Sequence, residues 1–169
     1  MENTNSTQVS AVIMSEKQRP NFSGFSHMSL PVRDTKEALT FFTEVLGAEL
    51  VFDREGFGEV QMGGVILGFS LQKERWTGYK AEYPHYGFFI EGDQFTPMKE
   101  RLERYGVPTT QIWTRDGVRT LMYFRDPSGN LFELYCPKGF KDADKAPRGA
   151  EAGGDYEIDF GALNYDWKG

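Results

Sequence analysis

Phe25-Ser-His-Met-Ser-Leu-Pro-Val32 alternates in the manner of a strand and carries His27, one of only two histidines in 169 residues. The other, His85, opens a second run of the same kind, Tyr83-Pro-His-Tyr-Gly-Phe-Phe-Ile90. Each run is followed by a helix signal. After the first, Asp34 with Glu37 three residues on forms a capping-box pattern. Leu39, Phe42, Val45 and Leu46 then recur at helical spacing, and Gly47 closes the segment. After the second, Thr96-Pro97 reads as a cap with proline in the first turn, Met98, Leu102 and Tyr105 form an apolar stripe, and Gly106 closes it. Histidine to glycine spans 20 residues in the first copy and 21 in the second. This near-equality marks an internal repeat.

The remainder of each copy reads as three strands. In the first they are Ala48–Phe52, Glu59–Met62 and Val65–Leu71, the last two joined by the hairpin signal Gly63-Gly64. In the second they are Val107–Trp113, Thr120–Phe124 and Asn130–Tyr135, with the turn Asp126-Pro-Ser-Gly129 between the last two. The expected fold is α+β: two βαβββ modules in tandem, at 25–74 and 83–138, whose curled mixed sheets enclose a cleft with the helices outside. The modules belong to a domain at 21–140. Residues 1–20 are polar and unpatterned and read as a flexible arm. The C-terminal extension, 141–169, ends in aromatic clusters, Asp155-Tyr-Glu-Ile-Asp-Phe160 and Tyr165-Asp-Trp167, and is expected to pack on the body or on a neighbouring subunit.

Composition narrows the function. Net charge is −6 and pI about 5.0, against nucleic acid or an anionic membrane as partner. No apolar run reaches the roughly 20 residues of a membrane helix. The N-terminal residues have neither the basic nor the apolar region of a secretory signal, and the single cysteine, Cys136, forms no intrachain disulfide, so a cytoplasmic protein is expected.

Glu133, in Asn130-Leu-Phe-Glu-Leu-Tyr135, supplies a carboxylate at the third point of the repeat. On strands that line a cleft, His27, His85 and Glu133 can converge as two imidazoles and one carboxylate. That set binds a divalent metal and leaves positions open for substrate and water. A hydrogen-bonded structural histidine is the ordinary alternative, weakened here by the equivalent repeat positions.

These motifs, His27-Met-Ser-Leu-Pro-Val, Leu46-Gly47, Tyr83-Pro-His85-Tyr and Phe124-Arg-Asp-Pro-Ser-Gly-Asn-Leu-Phe-Glu133, resemble the vicinal oxygen chelate superfamily over residues 23–138. That superfamily holds glyoxalase I, fosfomycin-resistance metalloenzymes, extradiol dioxygenases and bleomycin-binding proteins. The resemblance is to its small three-ligand members, since Leu67-Gly-Phe-Ser70 offers no fourth ligand. It implies that His27, His85 and Glu133 hold one divalent metal per site; the two-imidazole, one-carboxylate set itself favours Fe(II), with Mn, Ni, Co or Zn compatible. It implies a homodimer in which each site can be shared between chains. Tyr123 and Ser29 match substrate-contacting positions and are the catalytic candidates. Trp113, Arg119, Trp76 and Tyr83 are candidates for the substrate pocket.

The residue set favours Fe(II)-dependent, dioxygenase-type oxidation of a small oxygenated substrate, with O₂ as co-substrate. A metal-dependent lyase, isomerase or thiol/epoxide transferase is the alternative within enzymes. A non-catalytic drug-binding resistance protein is the alternative outside them.

Overall fold

The computed structural model describes residues 26–72 and 84–168. The N-terminal arm, Trp76 and Tyr83 lie outside the described residues. The first module comprises β1 (His27–Val32), α1 (Thr35–Thr40), β2 (Glu49–Arg54), β3 (Phe57–Met62) and β4 (Val65–Leu71). The second comprises β5 (His85–Phe89), α2 (Phe95–Arg104), β6 (Trp113–Thr114), β7 (Thr120–Arg125) and β8 (Leu131–Cys136). The sheet orders are β1-β4-β3-β2 and β5-β8-β7-β6. In both, the first strand runs parallel to the last and the other neighbours are antiparallel. The expected α+β tandem repeat of two βαβββ modules is present.

Several local details differ from expectation. Asp34 caps α1 by accepting from the Lys36 and Glu37 amides, but the Glu37 side chain does not complete the capping box. It accepts two bonds of 2.7 Å from Arg33 instead, a bidentate pair that outcompetes one backbone amide. The helix then widens into a π turn over Phe41–Val45, in which the Leu46 amide donates to the Phe41 carbonyl. The wider turn buries both Phe41 and Phe42. The second helix begins at Phe95, before the expected Thr96 cap, because a 3₁₀ turn at Gly92–Gln94 leads directly into it. Pro97 falls in its first turn, where its missing N–H costs nothing. The strand expected over Val107–Trp113 shrinks to β6 plus an isolated bridge between Thr109 and Phe124. Pro108 has no N–H to give to a ladder there.

The two modules share one core. Leu30, Val32, Phe42 and Phe69 from the first pack with Met122, Phe124 and Phe132 from the second. The Phe42 ring meets Phe132 at 5.5 Å, and Phe41 meets Phe124 at 6.4 Å. Arg101 on α2 donates to the carbonyls of Val45 and Glu44. The helices therefore lie on the apolar sheet faces, and these faces meet. The opposite faces, which carry His27 and His85, look away from this shared core. The expected enclosure of a cleft by the two sheets is not made within one chain. Apolar area decided the outcome: the faces rich in Phe and Leu bury each other.

The turn after β7 joins the modules. The Asn130 side-chain amide donates to the Pro31 carbonyl, and the Arg33 amide donates to Ser128 Oγ. Asp126, fully buried, accepts from the Ser128 and Asn130 amides and from Asn130 Nδ2. Burial pushes its carboxyl up to about 6, against the opposing pull of these bonds. Since the folded value lies above the unfolded one, its stabilisation is full below about pH 4 and is lost as pH rises through about 6. Denaturant melts at pH 5 and pH 7.5 should show a fall in stability of about 1–3 kcal/mol from this group. The Asp126→Asn variant should lack that part of the slope. An identical slope in both proteins would rule the assignment out.

Candidate metal centre

Register places the second module's candidates on one face. Tyr123 on β7 stands directly opposite Glu133 on β8. His85 on β5 pairs with Leu131, so Glu133 is its diagonal neighbour on the same face. Glu133 pairs in turn with Gly87, and a Cβ on that glycine would lie 3.5 Å from Glu133 Oε1. The missing side chain leaves room for the carboxylate to lie across β5.

The result is a compact cluster. Tyr123 Oη donates to Glu133 Oε2 at 2.6 Å. His85 Nε2 lies 3.7 Å from the same oxygen, and its ring meets that of Tyr123 edge-on at 5.5 Å. Glu133 is 8% exposed, so a carboxylate is held in a largely dry place facing one imidazole and one phenol. A buried carboxylate so placed is the chemistry of a cation site. One imidazole and one carboxylate supply two donors of a three-donor set.

His27 is not among them. It lies on β1, exposed, with Ser26 Oγ 2.9 Å from its Nδ1. Ser29 shares its face two residues on, opposite Gly68. Among the described residues no three His, Cys, Asp or Glu side chains converge in one chain.

The pocket candidates divide. Trp113 is buried and stacks on Tyr123 at 6.3 Å, behind the cluster. Arg119 is in the β6–β7 loop, where Asp116 accepts its Nε–H at 2.7 Å and its amide at 2.8 Å. These bonds hold the exposed Asp116 carboxyl down at about 2. Arg119 is thus engaged in its own loop with Asp116.

Residues of the aromatic extension, expected from sequence to pack but not placed at the site, complete this face. A second apolar cluster joins Trp113, Leu121, Tyr123 and Leu131 to Leu163, with Tyr156, Ile158 and Phe160 against it. The C-terminal extension therefore covers part of the sheet face that carries Glu133. Its aromatic content was the available signal, but nothing periodic showed which surface it would cover. Gly87 had a clearer signal, being two residues from His85 on the same strand face.

Residues 24–134 match the model of the Glyoxalase/Bleomycin resistance protein/Dioxygenase superfamily. The chain belongs to this superfamily. It is 31% identical over 114 residues to the glutathione transferase FosA of Serratia marcescens, covering 65% of this chain and 78% of that one. It is 26% identical over 119 residues to the metallothiol transferase FosB of Bacillus licheniformis, covering 69% and 77%. In fold it resembles the fosfomycin resistance protein FosX of Listeria monocytogenes, solved with Mn(II) and sulfate: the TM-score is 0.58 at 24% identity, over 73% of this chain and 96% of that one. Superfamily membership accounts for the two modules. The extension lies beyond the matched residues.

Proposed function

We propose that this protein is a divalent-metal-dependent enzyme that adds a thiol or water to a small oxygenated electrophile, with an epoxide as the type substrate. The observation that carries this reading is the Tyr123–Glu133–His85 cluster, on the strands that the superfamily match spans. His85 and Glu133 would hold the metal, together with His27 of a second copy, since one chain does not bring His27 to them. Ser29 shares the His27 face and would reach the same site. A bound divalent metal supplies Lewis-acid polarisation of the substrate's oxygen. Glu133 keeps its orientation through the Tyr123 hydroxyl, and Tyr123 Oη, 2.6 Å from Glu133 Oε2, would serve as the proton donor beside it. In the reaction a C–O bond of the epoxide breaks, a C–S or C–O bond forms, and the nucleophile's proton ends on the former epoxide oxygen.

Mn(II) is the first metal to test, since the FosX structure holds it. The oxygenation favoured from sequence has no support from the relatives, whose names are those of transferases and a resistance protein. The test is turnover of fosfomycin and of styrene oxide by Mn(II)-loaded protein, with glutathione or water, before and after EDTA. Turnover that survives EDTA sinks the metal role, and turnover that demands O₂ sinks the addition chemistry.

Site sharing has its own test. His27→Ala and Glu133→Gln proteins are each expected to be inactive. Mixed and allowed to exchange subunits, they should recover about a quarter of wild-type activity, because half the dimers are mixed and one site in each is intact. No recovery, with exchange demonstrated by native mass spectrometry, rules sharing out.

A further inference from the structure

The C-terminal extension is built into the second sheet. The Thr114 amide donates to the Pro147 carbonyl, and the Gly149 amide donates to the Thr114 carbonyl, so residues 147–149 extend the sheet beyond β6. Gly149 presses on Trp113 so closely that a Cβ there would lie 2.5 Å from the indole. The chain turns through a 3₁₀ segment, Ala150–Ala152, and returns beside itself, with the Tyr156 amide donating to the Arg148 carbonyl. Tyr156 Oη accepts from the Gln111 amide. Asp159 caps a last 3₁₀ turn, Phe160–Leu163. Tyr165 Oη then donates to the Arg125 carbonyl, and Trp167 packs edge-on against Phe41 at 5.5 Å while its Nε1 donates to the Tyr105 carbonyl. The segment is pinned at both ends.

Between these pins the extension does not fill the space it covers. An open pocket of about 200 Å³ remains, lined by Trp113 and by Gly149, Ala150, Tyr156, Glu157, Ile158 and Phe160 of the extension. Two of its walls touch the cluster: Trp113 stacks on Tyr123, and Phe160 meets Tyr123 edge-on at 5.4 Å. The cavity is thus one ring away from the hydroxyl that holds Glu133.

We propose that the extension builds a ring-binding subsite beside the metal centre, and that the substrate carries a planar aromatic or similarly compact apolar group. This rests on the function proposed above and deepens it by naming the substrate class. The size fits: an apolar cavity of about 150 Å³ accepts benzene. The lining fits as well, since three aromatic side chains offer edge and face contacts to a ring. A fully polar substrate would leave these walls without partners. Apart from Trp113, the subsite's lining lies in the extension beyond the superfamily match, so it would separate this chain's specificity from that of its relatives.

The test uses the full chain and fluorobenzene as probe, followed by ¹⁹F NMR with and without Mn(II). Wild-type protein should bind the probe. Ile158→Trp, which fills the cavity, should weaken binding by about tenfold or more, a ring's worth of burial. Ala150→Phe, at the exposed rim, is the second filling variant should the first not fold, with circular dichroism as the check. Mn(II) should broaden the bound ring's resonance, as proximity to the metal requires. No binding by wild-type protein, equal binding by both folded variants, or a bound ring untouched by bound Mn(II) overturns the subsite. Electron paramagnetic resonance of Mn(II) separates the two readings. Mn(II) bound without ring binding overturns this inference alone. Ring binding sensitive to the variants, with no Mn(II) bound, overturns the metal reading and leaves the cavity as a ring-binding site.

Discussion

Glu133→Gln protein should fold normally and lose divalent-metal binding and turnover by at least about 100-fold. Groups that merely support a metal ligand already cost about 10–100-fold when removed, so a ligand's charge must cost more. The substitution keeps size and shape, and Tyr123 Oη can still donate to the amide oxygen at the 2.6 Å position it uses now. What disappears is the one negative charge in a place that is 8% exposed. Without it the imidazole of His85, 3.7 Å away, is the strong donor left in the cluster among the described residues. Mn(II) titration by electron paramagnetic resonance, beside a thermal melt, checks the point. Unchanged Mn(II) affinity would falsify the assignment of Glu133 as a ligand. Tyr123→Phe should have the smaller effect of a supporting group, about 10–100-fold, with the metal still bound.

Phe132→Ala should cost about 3–5 kcal/mol and unfold both modules together. Phe132 is completely buried on β8, on the face opposite Glu133. Its ring meets Phe42 of the first module at 5.5 Å, and Tyr86, Phe88 and Phe124 of the second at 5.6, 6.1 and 5.6 Å. Removing it empties the joint between the modules as well as one sheet's core. The loss is a large share of the roughly 5–15 kcal/mol by which domains are stable. Urea melts followed by tryptophan fluorescence and by far-ultraviolet dichroism should stay coincident at a lower midpoint. Two separated transitions would show that the modules fold independently and that the shared core does not couple them.

The reach of sequence reasoning differs between these two residues. Glu133 and Phe132 are neighbours whose opposite roles follow from strand alternation alone. The same rule put His27 with Ser29, and His85 with Gly87, on faces opposite the apolar residues of their strands. Helix ends were legible where glycine set them and shifted where another local bond competed, as when Arg33 took Glu37 from the capping box. Arg119 illustrates the limit: its charge was plain, but its capture by Asp116 depends on the shape of one loop.

The linear pattern of residues determined the repeat, the strand faces and the identity of the candidate ligands, because side-chain direction within an element follows from local geometry. Only the tertiary structure decided which faces meet. The Phe-rich faces of the two sheets closed on each other, since apolar burial is blind to chain position, and this left His27 on one outward face and His85 with Glu133 on another. Packing also decided that the aromatic tail covers Trp113 and Tyr123. A segment with so little regular periodicity gives no sign of its partner until the sheet that receives it exists.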